Sequence, residues 1–130
     1  MAANQVILLI DDNKDFLEIF SAKLNSVGYR VVTAQGGKEG VAEAKNVSPD
    51  LVLLDVEMPG ENGFEVLEKI KEEVSNKKLK VCFLTNYGEQ KNENSAIDKK
   101  FAIDVGAIDY IRKSDNLDAI VTQVQDVMGS

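Results

Sequence analysis

The chain has 130 residues, 44% of them hydrophobic and 28% charged, which gives room for one compact domain with an apolar core and none for a second folded unit. A formal charge of -7, with no lysine-rich segment to offset it, excludes a sequence-independent binder of phosphate backbones, so no direct nucleic-acid partner is expected. The absence of histidine removes imidazole metal sites, His-containing triads and imidazole acid-base chemistry.

Gln5–Ile10 is a short apolar run between Asn4 and Asp11 and predicts a buried strand. Phe16, Phe20, Leu24 and Val27 recur at helical spacing, Leu17 widens the stripe, and Gly28 ends the helix. Tyr29–Ala34 returns to a strand pattern. Gly36-Gly37 then turns the chain into a second helix carrying Val41, Ala44 and Val47, which Pro49 closes. Leu51-Val52-Leu53-Leu54 is a continuous aliphatic run and predicts a third strand. Asn62 is the expected cap of a third helix, with Glu65 at the capping-box position and Leu67, Ile70 and Val74 on its inner face.

Lys80–Leu84 predicts strand four, where the lone Cys82 sits among Val81, Phe83 and Leu84 and reads as a buried structural thiol. Asn86 to Asn94 contains no aliphatic residue, so a polar loop is expected ahead of a fourth helix that starts at Ser95 and carries Ile97, Phe101 and Val105. Ile108–Ile111 predicts strand five, and Leu117, Ile120, Val121, Val124 and Met128 a fifth helix. No apolar run approaches a membrane span, and the N-terminus has neither basic flank nor cleavage site, so no membrane partner is expected and the cytoplasm is the expected compartment.

Five strands alternating with five amphipathic helices predict an open parallel sheet covered on both faces, and right-handed crossovers make it a doubly wound α/β sandwich. The carboxyl ends of its strands share one edge, where ligands bind. Asp11 and Asp12 follow the first strand, Asp55 follows the third, Thr85 ends the fourth and Lys113 follows the fifth. Carboxylates converging there repel one another and require a compensating cation or hydrogen-bond donors. Mg2+ is the expected ion, since it is hard, favours oxygen and keeps waters. Its expected ligands are Asp11, Asp12 and Asp55, with the backbone carbonyl of Glu57 completing part of the octahedron.

In such a site Asp55 can attack phosphorus and form an acyl phosphate, while Lys113 supplies an ammonium and the Thr85 hydroxyl donates to a phosphoryl oxygen. Taken singly, these residues read as ordinary structure: a cap at Asp12 or Asn13, a β-former at Thr85, a solvated strand end at Lys113. Independent caps have no reason to supply this complement at four strand ends.

The segments Ile7-Leu8-Leu9-Ile10-Asp11-Asp12-Asn13, Asp50-Leu51-Val52-Leu53-Leu54-Asp55-Val56-Glu57-Met58-Pro59-Gly60-Glu61-Asn62-Gly63, Phe83-Leu84-Thr85 and Gly106-Ala107-Ile108-Asp109-Tyr110-Ile111-Arg112-Lys113 resemble the receiver domain of bacterial response regulators, the chemotaxis-regulator-like family of two-component signalling. The resemblance spans the chain and implies one receiver domain over 1–130, with a flavodoxin-like sheet in strand order 2-1-3-4-5. It implies phosphorylation of Asp55, metal binding by Asp11 and Asp12, a backbone ligand at Glu57, a switch hydroxyl at Thr85, phosphate pairing by Lys113, and a switch aromatic at Tyr110.

The implied donor is a phosphohistidine on a sensor histidine kinase or histidine phosphotransfer protein. The implied chemistry is self-phosphorylation from that donor and autodephosphorylation, not turnover of an external substrate. The implied output is a downstream protein or a homodimer, bound through the face built from the fourth helix, fifth strand and fifth helix.

Three features depart from the family pattern. Ser114 replaces the usual proline after the lysine, and a cis bond without proline costs roughly 2.5–4 kcal/mol, so the bond is trans or held by other contacts. Ser114 is also a candidate cap for the last helix. Asn86 stands where a small residue is usual after the switch threonine, and Tyr87 and Glu57 hold positions that tune acyl-phosphate lifetime. The stretch between Thr85 and Lys113 is longer than the family pattern by roughly one or two helical turns, and kinase recognition, a lid and a tolerated insertion are open readings of its 86–94 loop.

A non-phosphorylated pseudo-receiver that acts only as an interaction scaffold is the alternative function. A flavodoxin-like electron carrier would need a hydroxyl- and amide-rich first loop in place of Asp11-Asp12-Asn13. An aspartyl phosphatase would present a hydroxyl residue where Met58-Pro59 follows Glu57.

Overall fold

The computed structural model describes residues 5–56, 58, 60–74, 78–85, 109–113 and 116–129, apart from the side chains of residues 109 and 110. The strands are β1 (Val6–Ile10), β2 (Arg30–Ala34), β3 (Leu51–Asp55), β4 (Lys80–Thr85) and β5 (Asp109–Arg112). The helices among the described residues are α1 (Lys14–Ser26), α2 (Gly37–Val47), α3 (Gly63–Glu73) and a C-terminal helix (Leu117–Gly129). All pairings are parallel, in the order β2-β1-β3-β4-β5, as the sequence implied. The helix expected from Ser95 and the polar stretch 86–94 lie outside the described residues.

Every residue of β3 is buried, and so are Ile7 to Ile10 of β1 and Val81 to Thr85 of β4. Strands covered on both faces need continuous apolar runs rather than alternation, which is why these three were the plainest in the sequence. Alternate side chains feed two separate cores. Ile7, Leu9, Leu53 and Leu84 join Phe20, Leu24, Ile120 and Val124 on the side of α1 and the C-terminal helix. Leu8, Ile10, Leu54 and Phe83 join Ala44, Met58, Leu67 and Ile70 on the side of α2 and α3. Each fully buried Leu, Ile or Phe stabilises the fold by roughly 1.5–3 kcal/mol relative to exposure. Cys82 is a buried thiol outside any disulfide.

The helix boundaries follow local chemistry. Asn62 Oδ1 accepts from the Phe64 N–H at 2.8 Å and caps α3, as expected. After α1, Gly28 adopts φ +108°, a conformation in which glycine meets no Cβ penalty. The C-terminal helix corrects one expectation. Its first turn is capped by Asn116, whose Oδ1 accepts from the Ala119 N–H at 2.8 Å, so it starts beyond Ser114. Asparagine and serine are near-equal caps, and the choice falls to the residue that reaches the N-terminal amides.

The strand ladder brings the carboxyl ends into line. Ile10 pairs with Leu54 and Asp55 with Leu84, which sets Asp11 level with Asp55. The pattern continues one residue past the strands: the Asp11 N–H donates to the Ala34 carbonyl at 3.0 Å, and the Lys113 N–H to the Thr85 carbonyl at 2.8 Å.

Candidate functional site

Asp11 is held at both its backbone and its side chain. Its Oδ1 accepts from the Asn13 N–H at 2.8 Å, and Asn13 Oδ1 accepts in turn from the Phe16 N–H at 3.1 Å, capping α1. Asn13 therefore takes the cap that Asp12 or Asn13 could have filled. Asp12 is exposed, while Asp11 is fully buried. Asp55 (1% exposed) and Thr85 (3%) complete the buried polar floor at the ends of β3 and β4.

One oxygen from each of Asp11, Asp12 and Asp55 lies within 4.8 Å of the others. Lys113 reaches this cluster from the end of β5, with its Nζ 2.6 Å from Asp11 Oδ2 and 3.8 Å from Asp55 Oδ2. The ammonium also stands 4.7 Å from the centroid of the Phe16 ring, close enough for attraction to the ring face. Phe16 itself leans on Phe20, with ring centroids 5.2 Å apart. The lysine side chain is 8% exposed, so its charge is poorly screened.

Asp11 Oδ2 is buried without a well-directed hydrogen bond, although the ammonium is near. The contact is one of charge rather than of aligned donor and acceptor. Among the described residues, three carboxylates against one ammonium leave a surplus of two negative charges. This donor set, all hard oxygen, fits a divalent cation such as Mg2+.

The structure thus brings together Asp11, Asp12, Asp55 and Lys113, and sets Thr85 at the same sheet edge. Glu57, the Tyr110 side chain, Asn86, Tyr87 and the bond to Ser114 lie outside the described residues. Two features were missed from sequence. Phe16 read only as part of the core stripe, since nothing local to it announces Lys113. Glu61 read only as part of a matching segment, yet both of its carboxylate oxygens accept from the Gly37 N–H, at 2.9 and 3.0 Å. A groove of about 610 Å³ between α2 and α3 includes Gly37 and Glu61 in its lining but none of the acidic cluster.

A family model described as the response regulator receiver domain matches residues 7–125. Protein PilH of Pseudomonas aeruginosa is 29% identical over 122 residues, covering 94% of this chain and 96% of that protein. The alkaline phosphatase synthesis transcriptional regulatory protein PhoP of Bacillus subtilis is 32% identical over 110 residues, 85% of this chain but only 42% of its own length. Among solved structures, the chemotaxis protein CheY4 of Vibrio cholerae superposes with a TM-score of 0.81 at 28% identity, covering 95% of this chain and 98% of that one. A CheY-like response regulator receiver domain protein from Methanospirillum hungatei gives 0.80 at 29% identity, with 96% and 94% covered.

Proposed function

This chain belongs to the response regulator receiver family, and we propose that residues 1–130 work as one receiver domain that takes a phosphoryl group onto Asp55 from a phosphohistidine donor. The observation that carries this reading is the buried cluster itself: three carboxylate oxygens within 4.8 Å of one another, with the Lys113 ammonium against two of the carboxylates. A structural ion pair has no use for the two surplus negative charges. A phosphoryl-transfer site uses them to hold a cation.

An oxygen of Asp55 attacks phosphorus in line, the new O–P bond forms as the P–N bond to the donor imidazole breaks, and the electron pair returns to that nitrogen. Lys113 moves its ammonium from Asp11 toward the incoming phosphoryl oxygens, and the Thr85 hydroxyl donates to one of them. Asp11, Asp12 and Asp55, with the Glu57 carbonyl, would hold Mg2+, which when bound supplies charge neutralisation for the carboxylates and the transferring group.

The added charge at Asp55 draws Thr85 inward and changes the space open to Tyr110, repacking the surface around β5. Sensor histidine kinases or phosphotransfer proteins are the proposed donors, and a downstream protein or second copy is the proposed reader. The cytoplasm is the proposed compartment. No helix among the described residues is long and apolar enough to cross a membrane.

Intact mass after incubation with a small phosphodonor and Mg2+ tests this. The wild type is expected to gain one phosphoryl group, and Asp55→Asn or EDTA to abolish the gain. Because rapid autodephosphorylation erases such a signal, beryllium fluoride is titrated in parallel. Absence of metal-dependent binding there sinks the phosphoacceptor reading and leaves the pseudo-receiver scaffold.

A further inference from the structure

The β3-to-α3 connection, which starts directly after Asp55, is fastened at its far end to a different helix. Gly36 precedes α2 and has no side chain to cap it, so the first-turn amides of α2 need an acceptor from elsewhere. Glu61 supplies it across 24 positions of sequence, its two oxygens sharing the Gly37 N–H at 2.9 and 3.0 Å. A carboxylate suits the positive end of a helix. The approach also depends on glycine: a Cβ on Gly37 would stand 2.6 Å from Glu61 Oε2 and 2.6 Å from Val66 Cγ2.

The described residues of the connection, Val56, Met58 and 60–63, are closely tied to one another. The Glu61 N–H donates to the Met58 carbonyl at 3.1 Å, and Gly60 takes φ +74°, closing a turn of the kind that needs positive φ at its third position. Met58 is buried in the core on that side. The chain then doubles back so closely that a Cβ on Gly63 would lie 2.9 Å from Val56 Cα. Val56 follows Asp55, and its N–H is bonded to the Leu84 carbonyl at 3.1 Å. Movement at Glu61 therefore reaches the backbone beside the acidic cluster through two close contacts.

We propose that Glu61 is a positioning residue for the metal-binding edge, acting as a latch on the N-terminus of α2 that steadies the backbone at Val56, beside Asp55. The latch rests on the phosphoacceptor reading above, since it presumes that the edge binds Mg2+. It touches neither metal nor phosphoryl group. A surface glutamate that merely caps α2 would change stability and leave Mg2+ affinity alone.

Titration of the full chain with MgCl2, followed by amide chemical shifts, separates these roles. Glu61→Ala is expected to weaken Mg2+ binding about tenfold, the lower end of the loss seen when supporting groups around a metal are removed. Glu61→Gln, which keeps an acceptor oxygen, is expected to restore most of that loss. Gly37→Ala is expected to match Glu61→Ala, and the double variant to be no weaker than either single one, since both break the same contact. Val124→Ala, a buried change in the C-terminal helix, serves as a control that loses stability without losing affinity. Where Gly37→Ala does not fold, the two Glu61 variants carry the test. Unchanged affinity in Glu61→Ala, or a loss equal to that of Val124→Ala at matched stability, overturns the latch alone. A wild type that binds no Mg2+ overturns the latch and the phosphoacceptor reading together.

Discussion

On the α1 side of the sheet, Phe16 and Phe20 form an aromatic shelf under the Lys113 ammonium. On the α2 and α3 side, Glu61 ties the connection after Asp55 to the first turn of α2. Both layers rest on aliphatic cores of fully buried strand residues, so their packing energies are alike in kind. What differs is the object held. The first layer fixes a charge, which acts through a poorly screened field; the second fixes a stretch of backbone beside Asp55. The proposed cation site would draw on both, because such a site depends on net charge and on ligand geometry.

The broadest way to break this comparison is to empty each core. Phe20→Ala is expected to cost about 3–5 kcal/mol and Ile70→Ala about 2–5 kcal/mol by urea unfolding, since both side chains are fully buried. A large inequality would show that one layer, not two, carries the fold. Lys113→Ala is expected to slow phosphoryl incorporation at Asp55 by about a hundredfold to a thousandfold, the usual cost of deleting one group that faces developing charge. Intact mass against time measures it.

Gly40→Ala tests the α2 side without touching the latch. A new Cβ would stand 2.5 Å from Ile10 Cδ1 and 3.0 Å from Cγ1, and Ile10 is fully buried with little room to move. Overpacking of about 1–3 kcal/mol is expected to exceed the gain of about 0.8–1.0 kcal/mol from alanine in a helix, giving a net loss in urea midpoint. Phe16→Leu sharpens the other side. It keeps apolar bulk but removes the ring face, and a loss of about 0.5–1 kcal/mol is expected to slow phosphorylation severalfold with little change in Mg2+ affinity.

The smallest effect belongs to Tyr29, 6% exposed beneath α1. Burial pushes its phenol above the ordinary value of 10.0, because the charged form is poorly solvated there. The folded state then holds the proton more tightly than the unfolded chain. Stability from this group is intact below pH 10 and falls as pH rises through 10 toward the folded value. Tyr29→Phe is expected to flatten that part of the pH profile, read from urea midpoints at matched pH.

Much of the fold was legible because burial on both faces leaves a mark in one dimension. The runs at β1, β3 and β4, and the stripes of α1 and the C-terminal helix, follow directly from which atoms must leave water. Caps were less legible. Asn62 stands alone before an apolar stripe and is read directly, whereas Ser114 is the cap the sequence suggests for the last helix and the folded path uses Asn116 instead. At the site, the order of acids, hydroxyl and lysine at successive strand ends pointed to one edge. The partners of those groups did not, since Phe16 lies in the first helix and Lys113 just after the last strand.

Sequence by itself determined the alternation of strands and helices, the two-sided core and the acidic residues that end the strands, because hydrophobic period and strand length are local properties. Tertiary structure alone decided that Lys113 lies nearer Asp11 than Asp55, that a phenyl ring supports it, and that Glu61 caps a helix 24 positions away. Such contacts join segments through space, and their distances depend on how the whole sheet is stacked, which no local pattern encodes.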